Sequence, residues 1–139
     1  MKQYPKNIKF KKNHLIRSNF YLEAQKRVFP LMGLYGLKSR QSGKLTIKQI
    51  EACRKSLRRN LKKKGKIWLQ VFTYASITKK SMGSRMGSGK GAHSEWVCHI
   101  RKGQVICEIA AHSEYVSLKA LESAKTKLPV KSLITKVKY

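Results

Sequence analysis

The residues able to do chemistry concentrate between Thr73 and Ser94, a stretch with four glycines, four cations and no acid. Two phosphate-binding motifs can be tested there. Gly87-Ser88-Gly89-Lys90-Gly91-Ala92 satisfies the letters G-x-G-x-x-A of the dinucleotide fingerprint. That fingerprint must leave a strand and open a helix whose N-terminus holds the pyrophosphate, whereas here it leads into an expected strand, Glu95 to Arg101. A Walker loop fails too, because Ser84 stands where its first glycine belongs and Gly91 where magnesium needs a hydroxyl. What remains is binding without turnover. Glycines such as Gly87 and Gly89 expose backbone amides and admit close approach, and Lys79, Lys80, Arg85 and Lys90 can ligate phosphate. Arg85 and Met86 form the expected tip, the first by stacking or bidentate phosphate contact, the second by packing on a sugar or base.

Other chemistry finds little support. The acids are Glu23, Glu51, Glu95, Glu108, Glu114 and Glu122, with no aspartate, and none is paired at a spacing that converges on one site. The four histidines lack a nucleophile and carboxylate in recognisable order. Cys53, Cys98 and Cys107 have neither an even count nor a C-x-x-C spacing, which argues against a disulfide framework or zinc ribbon and for a reducing compartment. No enzyme activity, cofactor or metal is expected.

Composition supplies the partner class. Thirty-two Lys and Arg against six Glu give a formal net charge of +26 over 139 residues. Self-repulsion on that scale disfavours a compact state unless a polyanion neutralises it, so nucleic acid is the expected partner, bound with steep salt dependence. No run approaches the roughly 18 apolar residues of a spanning helix, so membrane insertion is not expected. The length fits a single domain over residues 21–139 with a modest core, preceded by a basic arm over residues 1–20. The arm carries Lys6, Lys9, Lys11, Lys12, His14 and Arg17 at irregular spacing.

The elements that would carry these cations can be read locally. Thr46 and Gln49 form a capping box for a helix with Ile47, Ile50, Cys53, Leu57 and Leu61 on one face, and Gly65 is the expected left-handed C-cap. Lys55, Arg58, Arg59, Lys62 and Lys63 are more cations than the helix dipole rewards, and phosphate contact explains the surplus. A strand follows at Lys66–Phe72, then a long loop over residues 73–94. A turn at Lys102-Gly103 predicts a hairpin in which Cys98 faces Cys107 and Trp96 faces Ile109, one face apolar and the other mixed, with Glu108 on the mixed face. The same register pairs His93 with His112 across the hairpin, five residues from the cysteines and on the other face, against a metal site. Between Gln25 and Lys38, Pro30, Gly33 and Gly36 predict short strands and turns. A second helix from Ser113 or Glu114 to Lys127 would bury Tyr115, Leu118, Leu121 and Leu128 and stop at Pro129, and a final strand would lie within Val130–Val137.

Gly65-Lys66-Ile67-Trp68-Leu69-Gln70-Val71-Phe72, Ile77-Thr78-Lys79-Lys80 and Arg85-Met86-Gly87-Ser88-Gly89-Lys90-Gly91 together resemble the large-subunit ribosomal protein family numbered sixteen, in its bacterial and organellar form. Pro5-Lys6, Lys9-Phe10-Lys11-Lys12, Leu45 to Arg54, Gly103 to Ile109 and Lys127 to Lys131 extend the resemblance over most of the chain. It departs at Ala110-Ala111-His112-Ser113, where the family has an acidic, glycine-containing turn, and at Leu15 to Phe29, which lacks the family's Arg/Gly-rich character. The resemblance implies an α+β domain with two helices packed on an antiparallel sheet, bound to large-subunit ribosomal RNA beside neighbouring ribosomal proteins. It further implies that the glycine loop helps position transfer RNA in the aminoacyl site near the peptidyl-transferase centre. A free-standing basic regulator of RNA or DNA is the alternative. Twenty-four lysines to eight arginines suggest AT-rich coding. With the match beginning at Pro5, the expectation is a mitochondrial ribosome, the alternatives being a plastid or a bacterial cytoplasm.

Overall fold

The computed structural model describes residues 4–14, 23–26, 28–62 and 64–137. Among them the order is β1 (Tyr35–Ser39), β2 (Gly43–Thr46), α1 (Ile47–Leu61), β3 (Gly65–Leu69), β4 (Ala75–Lys79), β5 (Ala92–Ile100), β6 (Val105–Ala111), α2 (Glu114–Lys125) and β7 (Ser132–Lys136). The class is α+β, with two antiparallel sheets rather than one: β3-β6-β1-β7 and β2-β5-β4.

Helix α1 forms where its local signals lie. The Thr46 hydroxyl accepts from the Gln49 N–H, and the Gln49 side chain accepts from the Thr46 N–H at 2.9 Å, closing the capping box. Ile50, Cys53, Leu57 and Leu61 are buried on one face. The C-cap differs from expectation. Lys62, not Gly65, takes the left-handed conformation, with φ 44° and ψ 43°. Gly65 instead opens β3, where an added Cβ would stand 2.8 Å from the Ala110 carbonyl oxygen. Its lack of a side chain therefore serves strand approach.

Both helices pack on one face of the four-stranded sheet, around Leu37, Cys107 and Ile109. Cys53 of α1 meets Cys107 of β6 there; this hydrogen bond and burial push the Cys107 thiol well above its ordinary range. All three cysteines are buried and reduced. A second cluster, with Leu45, Ile50, Cys98, Ile100 and Ile106, ties the two sheets together.

The register expected for β5 and β6 is not the one formed. A turn does join them, the Gln104 N–H donating to the Arg101 carbonyl at 3.2 Å, but the strands enter different sheets. Cys98 lies opposite Leu45 of β2, and Cys107 lies opposite Leu37 of β1 and Leu69 of β3. The reason is burial. Residues 105–109 are buried on both faces, which suits a central strand flanked by β3 and β1 and not one arm of a half-exposed hairpin. His93 and His112 do not pair either, since His93 faces Thr78. Among the described residues no group of three or more His, Cys, Asp or Glu could hold a metal ion, and no helix is long and apolar enough to cross a membrane.

Helix α2 turns a different face inward from the one its large apolar residues suggest. Ser117, Ala120, Leu121 and Ala124 are buried, while Tyr115 is 70% exposed and Leu118 is exposed as well. Small residues let α2 lie close against α1, and the bulky pair would force the helices apart. Glu108 departs further from expectation, being 1% exposed rather than on a half-exposed face. One carboxylate oxygen accepts the N–H groups of Leu31, Met32 and Gly33 at 3.0, 2.7 and 3.0 Å, and the other accepts from the Gln70 amide at 2.8 Å. These bonds satisfy the buried charge and pin residues 31–33 across the sheet.

Candidate nucleic-acid interface

Strands β4 and β5 occupy much of the stretch expected to be loop, so the irregular part runs from residue 80 to 91 at the end of a strand pair. Residues 81–90 are all exposed. Gly83, Gly87 and Gly89 have φ of 81°, 99° and 79°, and nothing lies within 4 Å of where their side chains would be. Positive φ favours glycine at these positions, and the open space leaves the backbone accessible to a ligand. Within the segment the Lys80 ammonium donates to the Gly87 carbonyl. The Ser81 and Ser84 hydroxyls bond to each other at 2.7 Å. Lys79 ends β4, and Lys80, Arg85, Gly87, Gly89 and Lys90 border a shallow concavity beside it. Met82 and Met86 are 97% and 95% exposed. Thioethers so fully in water have no role in this core and are suited to contact with another molecule.

The arm meets this segment directly. The Lys12 ammonium donates to the Lys90 carbonyl at 3.1 Å, and the Lys90 ammonium donates in return to the Asn13 carbonyl. Asn13 and His14 border a small recess with Lys44, Tyr74 and His99. Burial, then the neighbouring Lys44 charge, holds the His99 imidazole below its usual range and favours its neutral form. Lys6, Lys9, Lys11, Lys12 and His14 are exposed. Sequence reasoning put Lys12 and Lys90 on separate elements. Nothing in their spacing, 78 residues apart, reveals the clasp.

The helix cations form another group on another element. Lys55, Arg58, Arg59 and Lys62 are exposed on the side of α1 away from its buried stripe. Arg54 belongs with them in sequence but is held by Glu51 through two bonds of 2.9 and 2.6 Å. That contact, led by the Arg54 hydrogen bond, lowers the Glu51 carboxyl pKa. The three-residue spacing on a helix was the available signal for this pair. Arg17 and Lys63 lie outside the described residues.

The comparisons with known proteins place this α+β body, with its exposed cationic groups, among the structural proteins of the ribosome. The family model for ribosomal protein L16p/L10e matches residues 5–135. The chain is 40% identical over 134 residues to the large ribosomal subunit protein uL16 of Phytoplasma australiense, covering 95% of this chain and 94% of that protein. It is 41% identical over 128 residues to the uL16 of Pseudoalteromonas atlantica, covering 92% of each. The uL16 of Fervidobacterium nodosum is 40% identical over 130 residues, covering 94% of this chain and 90% of that protein. The chain belongs to the L16p/L10e family of ribosomal proteins.

Proposed function

We propose that this protein is a structural constituent of the large ribosomal subunit that binds large-subunit ribosomal RNA and helps shape the aminoacyl-tRNA site near the peptidyl-transferase centre. The observation that carries the reading is the clasp of Lys12 and Asn13 on Lys90, which joins the cationic arm to the glycine-rich segment around Arg85. With Lys79, Lys80 and the α1 cations Lys55, Arg58, Arg59 and Lys62, these side chains supply charge for a folded polyanion. Membership of a ribosomal family supports rRNA and neighbouring ribosomal proteins as partners. Contact with aminoacyl-site tRNA is the finer part of the proposal and rests on the segment's exposure, its open glycines and the reach of Arg85 and Met86. The excess of lysine over arginine supports a mitochondrial ribosome, with plastid and bacterial cytoplasm as alternatives. The relatives cited are bacterial.

Two measurements test this. The native chain should co-sediment with large ribosomal subunits at low salt and leave them at high salt. Arg85→Ala should melt as the parent does while slowing peptide-bond formation through weaker tRNA placement, because Arg85 is exposed and lies outside both core clusters. Unchanged translation with lost stability would contradict the tRNA contact.

A further inference from the structure

We propose that a groove between α1 and β3 receives a single unstacked RNA base, an inference that rests on the RNA-binding reading and adds a second kind of contact to it. Strand β3 is an outer strand of its sheet, so no neighbouring strand covers that side. Beside it lies a groove of about 810 Å³, within the range of sites that hold small heterocyclic ligands. Its walls divide by chemistry. Arg54 and Arg58 stand on α1, four residues apart and so on one helix face. Trp68 on β3 is half-buried, and Met32, which also borders the groove, is 67% exposed. Leu69 contributes an apolar wall.

Two details favour an anionic aromatic guest. No carboxylate borders the groove, and the two nearby in sequence and register are engaged: Glu51 holds Arg54 in a fixed plane, and Glu108 receives the amides of residues 31–33 and Gln70. The remaining lining joins an indole, a polarizable thioether and guanidinium groups. Those are the groups on which a base stacks and a phosphate pairs, whereas an acidic peptide would have no use for the aromatic wall. Glu108 also fixes the rim, since Met32 is one of the three amides it binds. The groove is thereby shaped before any ligand arrives.

The test uses the full chain carrying Trp96→Phe, which leaves Trp68 as its single tryptophan of the original two. Fluorescence is followed during titration with octaadenylate and, separately, with a blunt RNA duplex of equal phosphate count, RNA binding being read independently by anisotropy of a labelled strand. Octaadenylate should quench Trp68 saturably, and the duplex should bind without quenching. Trp68→Leu should weaken octaadenylate binding about tenfold and leave duplex binding unchanged, while Trp68→Phe should restore most of the loss. Should Trp68→Leu fail to fold, Met32→Ser on the exposed rim should give the same selective loss, several-fold in size. Binding of both RNAs without quenching, and with no effect of either variant, would overturn the groove and leave general RNA binding intact. Failure to bind either RNA would remove the broader reading and this one with it. A saturable change in Trp68 fluorescence with polyglutamate but not with octaadenylate would make the groove a protein-docking site, against the proposal.

Discussion

Replacing Lys55, Arg58, Arg59 and Lys62 together by Gln tests the proposed contact of α1 with RNA. The four positions are exposed, Lys55, Arg58 and Arg59 within the last two turns of the helix and Lys62 at its C-cap, away from the buried Ile50, Cys53, Leu57 and Leu61. From residue 55 to the helix end at Leu61 the axis rises about 9 Å at ~1.5 Å per residue, and Lys62 follows as the cap. A duplex strand presents one phosphate per ~3.4 Å of axis, so the group can meet roughly three phosphates. Each neutralised phosphate contributes about 0.7–0.9 to the slope of log K against log salt, and the substitution should therefore flatten that slope by about 2–3. Between 50 and 200 mM salt, a fourfold change, the parent should lose roughly thirtyfold more affinity than the variant. The assay is filter binding or anisotropy with a folded large-subunit rRNA fragment at five or more salt concentrations, with thermal melting as the folding control. The variant should melt at or above the parent temperature, because like charges have been removed from a chain of net charge +26. A slope that moves by less than about 0.5, in a variant that still folds, would refute phosphate contact by this helix face.

Three further outcomes follow from the fold and its few carboxylates. Glu108→Ala should cost about 3 kcal/mol, because the buried Gly33 N–H and the Gln70 amide lose their acceptor while the part-buried Leu31 and Met32 amides partly regain water. Melting should fall by roughly 10 °C, and a loss under 2 °C would show that residues 31–33 are held by something else. Thr46→Ala should cost about 1 kcal/mol by opening the capping box, measured as a lower urea midpoint with an unchanged m-value. Glu51 has a folded pKa lowered from 4.5, so its stabilising contribution is present above that value and is lost as pH falls through the folded pKa. Glu51→Gln should accordingly remove a small, screened increment of stability at neutral pH and converge with the parent at strongly acidic pH. Parallel pH–stability curves with a constant gap would contradict the pairing with Arg54.

What was legible in the sequence was what short-range chemistry decides. The Thr46–Gln49 box, the stripe from Ile50 to Leu61 and β7 near the C-terminus each depend on residues a few positions apart. The errors came from partners far away in the chain. The turn at Lys102-Gly103 is real, yet the pairing of β5 and β6 was decided by β1, β2, β3 and β4, which occupy their edges. Tyr115 and Leu118 resembled a core face because hydrophobicity was weighed without the close approach of α1, which selects Ala120 and Ala124. Strand β4 was hidden within the expected loop because Ala75-Ser76-Ile77-Thr78-Lys79 lacks a strong apolar alternation, and its order comes from β5. Glu108 was read as half-exposed because its alternation carries no sign of the three amides that cover it. Of the site, the cation-rich segments were visible as composition, but the contact of the arm with Lys90 and the groove beside Trp68 required coordinates.

The bonds between Lys12, Asn13 and Lys90 carry a consequence for assembly. A carboxylate used as the fastener would have cancelled a positive charge, while a peptide carbonyl fastens an ammonium and leaves its charge whole. The joint therefore adds order without reducing the attraction for an incoming nucleic acid. Phosphate is the stronger acceptor for an ammonium than a neutral carbonyl, so RNA bound as proposed above would compete for Lys12 and Lys90. A seam fastened in this way joins two distant segments and keeps its full positive charge.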